Sequence, residues 1–176
     1  RVINIFPAGK RPVAVASYGT QRRITYVATA NAGDGTVSLF QLSQSANGVG
    51  YALSEPSLPP LQPRYNVASP FAIHACGGFL ITSSTGTTVS ALRFSVPLLG
   101  PVEDYAFREI VVGPQPMSAA CVDGATALVS TRGDNALSHV DLTTGAIRFR
   151  VPGVPASRGV HGIAIDQNGN AWIAGT

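Results

Sequence analysis

Four short runs follow one another between residues 116 and 151: Pro116-Met-Ser-Ala-Ala120, Ala127-Leu-Val-Ser-Thr131, Ala136-Leu-Ser-His-Val-Asp-Leu142 and Ile147-Arg-Phe-Arg-Val151. Between them stand Asp123-Gly124, Asp134-Asn135 and Thr144-Gly145, pairs that tolerate positive φ or favour turn positions. Leu137 to Leu142 alternates apolar and polar residues with a period near two, and Val, Ile, Thr and aromatics are frequent in the runs. Both features predict strands, because a helix needs apolar residues three and four apart over a longer stretch. The stretch therefore reads as a four-stranded antiparallel unit.

The unit recurs. Pro12-Val-Ala-Val-Ala16, Pro70-Phe-Ala-Ile-His74 and Val160-His-Gly-Ile-Ala164 align with the first run, so the starts fall at 12, 70, 116 and 160, at intervals of 58, 46 and 44 residues. Two of these intervals match the roughly 40–45 residues of a four-stranded propeller blade. Second runs follow at Ile24–Thr29, Phe79–Ser83 and Ala171–Ala174, third runs at Thr36–Leu42 and Thr88–Phe94, and a fourth at Phe107–Val112. The long interval is assigned to a loop insertion, Ser43 to Gln62, whose Pro56, Pro59 and Pro60 do not suit a central strand; Pro97 to Pro101 is a shorter loop of the same kind. The expected fold is all-β, a β-propeller of about four blades. The blades span approximately 12–69, 70–115, 116–159 and 160–176, with 1–6 as an outer strand of a preceding or closing blade. Three units are complete and one is split or truncated, which predicts part of a larger ring. An unclosed stack leaves faces and an edge bare, so the expected partners are the remaining blades of a larger propeller or a second copy of the chain.

Composition agrees with this and narrows the function classes. Gly (19) and Pro (13) are plentiful in 176 residues, as turn-rich β architecture requires. Charge is low, with 12 Lys+Arg against 9 Asp+Glu for a net +3. Eleven of the basic residues are Arg, scattered with no stripe interleaved with aromatics, so no nucleic-acid surface is expected. No apolar run approaches the roughly 20 residues of a membrane span, and the first ten residues lack the features of a signal peptide. The absence of an initiator Met is read as a processed chain or an excerpt. Low charge, a single Lys and plentiful small residues point to a secreted or cell-surface protein.

Asn135-Ala-Leu-Ser-His-Val-Asp-Leu-Thr-Thr-Gly145, and Tyr26-Val-Ala-Thr-Ala-Asn31 leading into Thr36-Val-Ser-Leu-Phe40, resemble the YVTN-type repeat of lactonase-like and surface-layer β-propellers. His161-Gly-Ile-Ala-Ile-Asp-Gln-Asn-Gly-Asn-Ala-Trp-Ile-Ala174 is similar to the corresponding stretch of gluconolactonase-like, NHL and streptogramin-lyase-like propellers. The resemblance implies the fold and leaves the activity open, since these propellers include hydrolases, lyases and plain scaffolds.

Candidate site residues are those that depart from the repeat. His161 stands where the other units have Val13, Phe71 and Met117, and Arg158 lies three residues earlier on the entry loop. In a lactonase or lyase His161 would act as general base or metal ligand and Arg158 would steady an oxyanion or carboxylate. A plain hydrogen bond from His161 to a neighbouring loop carries more weight, because no partner set accompanies it. The resemblance to gluconolactonases implies a Glu, Asn and Asp cluster around a divalent metal, yet Glu55, Glu103 and Glu109 fall in loops or outer strands. No cofactor is evident; a divalent metal is the one left open.

Other polar residues read as architecture. Asp166, Asn31 and Asp134-Asn135 suit turns; His74 suits a satisfied buried imidazole; His139 and Asp141 suit a polar pair on one strand face; Trp172 suits the space between blades; Arg148 and Arg150 suit edge-protecting charges. Cys76 and Cys121 occupy nearly equivalent places in successive units, and two separate buried thiols are expected, since such positions usually exceed the roughly 7 Å Cα limit for a disulfide. The preferred function is a non-catalytic scaffold or binding module for a small molecule or protein. The alternatives are a lactonase-type hydrolase or lyase, and a surface-layer or adhesion component.

Overall fold

The computed structural model describes residues 7–19, 25–44, 51–56, 64–95, 104–153 and 159–175. These contain strands and turns and no helix. The first sheet holds β1 (Pro12–Gly19), β2 (Thr25–Asn31), β3 (Thr36–Gln44), β4 (Tyr51–Ser54) and β5 (Arg64–Asn66). The second holds β6 (Pro70–Ala75), β7 (Gly78–Ser83), β8 (Thr88–Ser95) and β9 (Asp104–Val111). The third holds β10 (Pro116–Cys121), β11 (Thr126–Thr131), β12 (Ala136–Asp141) and β13 (Ile147–Val151). The fourth is the pair β14 (Val160–Ile165) and β15 (Ala171–Gly175). Every pairing is antiparallel between neighbours in sequence, apart from β5, which pairs with β3. The inner strands lie side by side, β1 against β6, β6 against β10 and β10 against β14. This is the radial stacking of propeller blades.

Ser43 to Gln62 is more than a loop. β3 continues through Gln44, β4 pairs with its far end (Gln44↔Tyr51) and β5 with its near end (Thr36↔Asn66). Two short strands in tandem thus take the fourth position of the first blade. Pro56 lies just beyond β4, where its missing N–H costs no ladder bond. The fourth-strand assignment of Arg1–Phe6 and the loop at Pro97–Pro101 lie outside the described residues.

Two clusters between blades hold the stack together. Ala28, Val37 and Leu39 of the first sheet meet Ile73, Phe79, Ile81, Leu92 and Phe94 of the second. Phe94 stacks on Tyr26 at 4.8 Å and meets Phe79 edge-on at 5.8 Å. Leu80, Val89, Ala91 and Ile110 of the second sheet meet Ala119, Ala127, Val129 and Val140 of the third. Because side chains alternate along a strand, one face of each inner sheet serves each neighbour. Burying one such Leu, Ile, Val or Phe contributes about 1.5–3 kcal/mol.

A recurring clasp sets the ends of the inner strands. The residue before each is left-handed: Arg11 (φ 50°), Ser69 (46°), Gln115 (54°) and Gly159 (104°). Each inner strand then bulges at its start. The carbonyls of Arg11 and Gln115 accept the N–H groups of Ala32 and Arg132, and that of Ser69 accepts Ser84 N–H. Entry loop and second-to-third turn of the first three blades are thereby tied together at one end of the inner strands.

Candidate functional site

His161 follows the clasp residue Gly159 at the head of β14 and is half-buried. It is the extra residue of the bulge between Val160 and Gly162 and has no partner on β15. Gly159 is required there, because a Cβ would sit 2.6 Å from Cγ of Arg132 in the neighbouring blade's turn. Arg158 lies outside the described residues, so the pairing of His161 with Arg158 is carried by sequence alone. Among the described residues no group of three or more His, Cys, Asp and Glu is placed to hold a metal ion.

The carboxylates beside the turns are occupied by their own backbone. Asp34 takes the Thr36 hydroxyl at 2.7 Å and Lys10 N–H at 2.9 Å, which hold its pKa below the usual value. Asp123 accepts Ala125 and Thr126 N–H at 2.7 and 2.6 Å and is likewise lowered. Asp166 accepts the Asn170 side chain and backbone, the Trp172 indole N–H and Asn168 N–H, which bring it down to about 2. Asp134 takes the Thr131 hydroxyl and pairs with Arg150. Asn31 is fully buried and donates to Thr36 and Ser38 at 3.2 and 3.0 Å.

Several side chains differ from their sequence reading. His139 does not pair with Asp141: its ring lies 4.9 Å from that of Phe149, and Asp141 caps Thr143 and Thr144 and binds Arg148, the bulged residue of β13, at 2.7 Å. Arg150 is no free edge charge. It reaches the Val112 carbonyl of the second blade, Ser138 and Asp134. Trp172 is 65% exposed, on a strand, β15, that is exposed along its whole length. His74 is a satisfied imidazole; its Nε2 accepts Ala119 N–H of the next blade at 3.3 Å, and burial lowers its pKa.

The cysteines depart furthest. Cys76 and Cys121 form a disulfide, with Cα atoms 5.3 Å apart. Gly77, left-handed at φ 59°, lets the β6–β7 turn press onto the turn before β11: a Cβ there would collide with the Gly124 carbonyl. Equivalent positions in neighbouring blades come within bonding reach because this glycine removes the side chain that would hold them apart. Cys76 also sits one place further along its unit than Cys121, an offset visible in the sequence.

One cleft sequence reasoning did not anticipate lies on the first blade, roughly 140 Å³, lined by Pro7, Ser38, Phe40, Glu55 and Arg64. It offers a carboxylate, a guanidinium and an aromatic ring on an outer surface, away from His161. The signal for it was the insertion itself, which carries Glu55 and precedes Arg64.

No protein-family model matches the chain, and no curated protein matches it. A solved structure does: the β-propeller domain of Myceliophteria thermophila Cps50 (Swd1), with a TM-score of 0.54 and 12% identity over 93% of this chain and 54% of that one. The chain thus spans about half the length of the domain it matches. Identity that low speaks for the fold alone, and on that fold the sheets and the comparison agree: the chain is a β-propeller arc.

Proposed function

We propose that this arc is a non-catalytic scaffold or binding module of an extracytoplasmic propeller. The observation that carries the reading is how its polar chemistry is spent: Asp34, Asp123, Asp141 and Asp166 cap turns, Asp134 anchors Arg150, and His74 ties one blade to the next. Groups committed to backbone donors are poor general bases, since their lone pairs are occupied and their pKa values are lowered away from neutrality. The Cys76–Cys121 disulfide supports a secreted or cell-surface location, because such bonds persist in oxidising compartments. The similarity to about half of a propeller domain supports completion of the ring by further blades or a second copy.

The alternative reading, a YVTN-like lactonase or lyase, rests on His161 and Arg158. A panel of γ- and δ-lactones, assayed with and without added Ca²⁺ or Zn²⁺, tests it. The scaffold reading expects no turnover above buffer; turnover abolished in His161→Ala, with the fold intact by circular dichroism, would replace it with the enzyme.

A further inference from the structure

On the inner strands one position carries Ala16, Ala120 and Ala164, and in the second blade alone it carries a titratable group, His74. His74 stands opposite Leu80 on β7, and Leu80 packs with Ala119, Ala127 and Val129 of the third blade. Cross-strand partners share a face, so His74 is turned toward the third blade as well. Its ring spans the junction, Nε2 accepting the backbone N–H of Ala119 on β10 at 3.3 Å. An imidazole that accepts at Nε2 is neutral and carries its proton on Nδ1. Two residues further along each chain segment, Cys76 and Cys121 join the same two blades covalently. The junction thus has a covalent tie beside one that holds only while a ring stays uncharged.

The surroundings offer nothing to offset a charge there. β6 packs against β1, β2, β7 and β10. The titratable side chains of those strands are Tyr18, Tyr26 and the disulfide-bonded Cys121, and none of them is charged between about pH 4 and 8. Both tyrosines lie with Ile73 and Phe79, on the side of the first blade. The charged residue of β8 is Arg93, two places beyond Ala91 and so on the face toward the third blade; it is itself a cation. Asp123, in the turn that follows β10, is committed to the N–H groups of Ala125 and Thr126. Among the described residues no carboxylate is paired with His74. Burial accordingly lowers the pKa of the ring from its ordinary 6.5.

We propose that His74 is an acid-sensitive latch between the second and third blades. A proton taken up at Nε2 turns the acceptor into a donor that confronts the N–H of Ala119. The hydrogen bond is lost, and a half-buried cation is left with no anion beside it. The Cys76–Cys121 bond stays closed meanwhile, because opening it needs an attacking thiolate, which acid suppresses. The blades therefore loosen locally, remain attached, and re-engage when the proton leaves. The unfolded chain binds the proton first, so the stability His74 contributes is full above about pH 6.5 and is lost as pH falls toward the folded value. Across that interval the folding constant drops by up to about tenfold per pH unit.

Proton–nitrogen correlation spectra of the full chain, titrated from about pH 8 to about pH 4.5, follow the imidazole and amide signals directly. At neutral pH the His74 proton is expected on Nδ1, and the ring should titrate below 6.5. The Ala119 amide signal should move with the same midpoint and return on back-titration. His74→Gln supplies an amide oxygen that accepts the same N–H at every pH, and His74→Ala restores the residue of the other blades. Between about pH 7.5 and 5 the urea midpoint of the wild-type chain should fall by more than that of either variant. The proposal is overturned by a His74 midpoint at or above 6.5, by an Ala119 amide that ignores the titration of the ring, or by parallel pH profiles in wild type and His74→Gln. The titration of the wild-type chain decides the matter even where neither variant folds.

Discussion

Removing the staple between the second and third blades, by Cys76→Ala with Cys121→Ala, is the perturbation whose size the structure sets most directly. The bond closes a segment of 45 residues. In the chain-entropy account, freeing a loop of that length in the unfolded state costs about 4 kcal/mol of stability. A chain of 176 residues unfolds with an entropy of roughly 0.37 kcal/mol per kelvin, so the thermal midpoint should fall by about 11 °C. Alanine is the right replacement, because Cys76 is 3% exposed and a serine would bury a hydroxyl there. Melting followed by circular dichroism at 218 nm reads the midpoint, and the unmodified chain held in a phosphine reductant should melt where the double variant does. Thiol titration of the denatured, unreduced chain should find no free thiol. A fall of less than about 3 °C would refute the reasoning, since the unfolded ensemble would then gain little freedom from losing the bond. Two free thiols in that titration would refute the bond itself.

Two further outcomes follow from turn geometry. Gln115 holds φ 54° with a side chain that left-handed backbone disfavours, so Gln115→Gly should raise stability by up to about 1 kcal/mol, the relief of strain exceeding glycine's entropy cost; no rise in the urea midpoint would mean the clasp carries no strain. Asp166, lowered from 3.8 to about 2 by the Asn170 side chain and its other donors, contributes stability that is present above pH 4 and lost as pH falls through 2, because the unfolded state binds the proton first. The midpoint should decline over that window and decline less in Asp166→Asn; an identical slope in both proteins would remove Asp166 from the account.

Much of the architecture was legible in the residues. Leading prolines at 12, 70 and 116, alternating runs such as Leu137 to Leu142, and pairs such as Asp123-Gly124 are local signals, and strands and turns answer to local sterics and alternation. The insertion after Ser43 was harder to read, since β4 and β5 exist only because β3 offers each of them half of its edge. The candidate site was legible only as a departure from the repeat at His161; the cleft at Glu55 and Arg64 needs the first blade folded before its walls meet.

The sequence by itself determined which residues form strands, how they group into repeated four-stranded units, and that Asp123, Asp134 and Asp166 fall in turns. Tertiary structure alone decided what passes between units. The Cys76–Cys121 bond depends on how closely two blades approach across Gly77, and the bonding of Arg150 to Val112 joins two sheets. The physical reason is range. Propensity and hydrogen-bonded turns act over a few residues of chain, whereas the spacing between blades is set by side chains 40 to 50 residues apart, and a single missing Cβ can change which atoms meet.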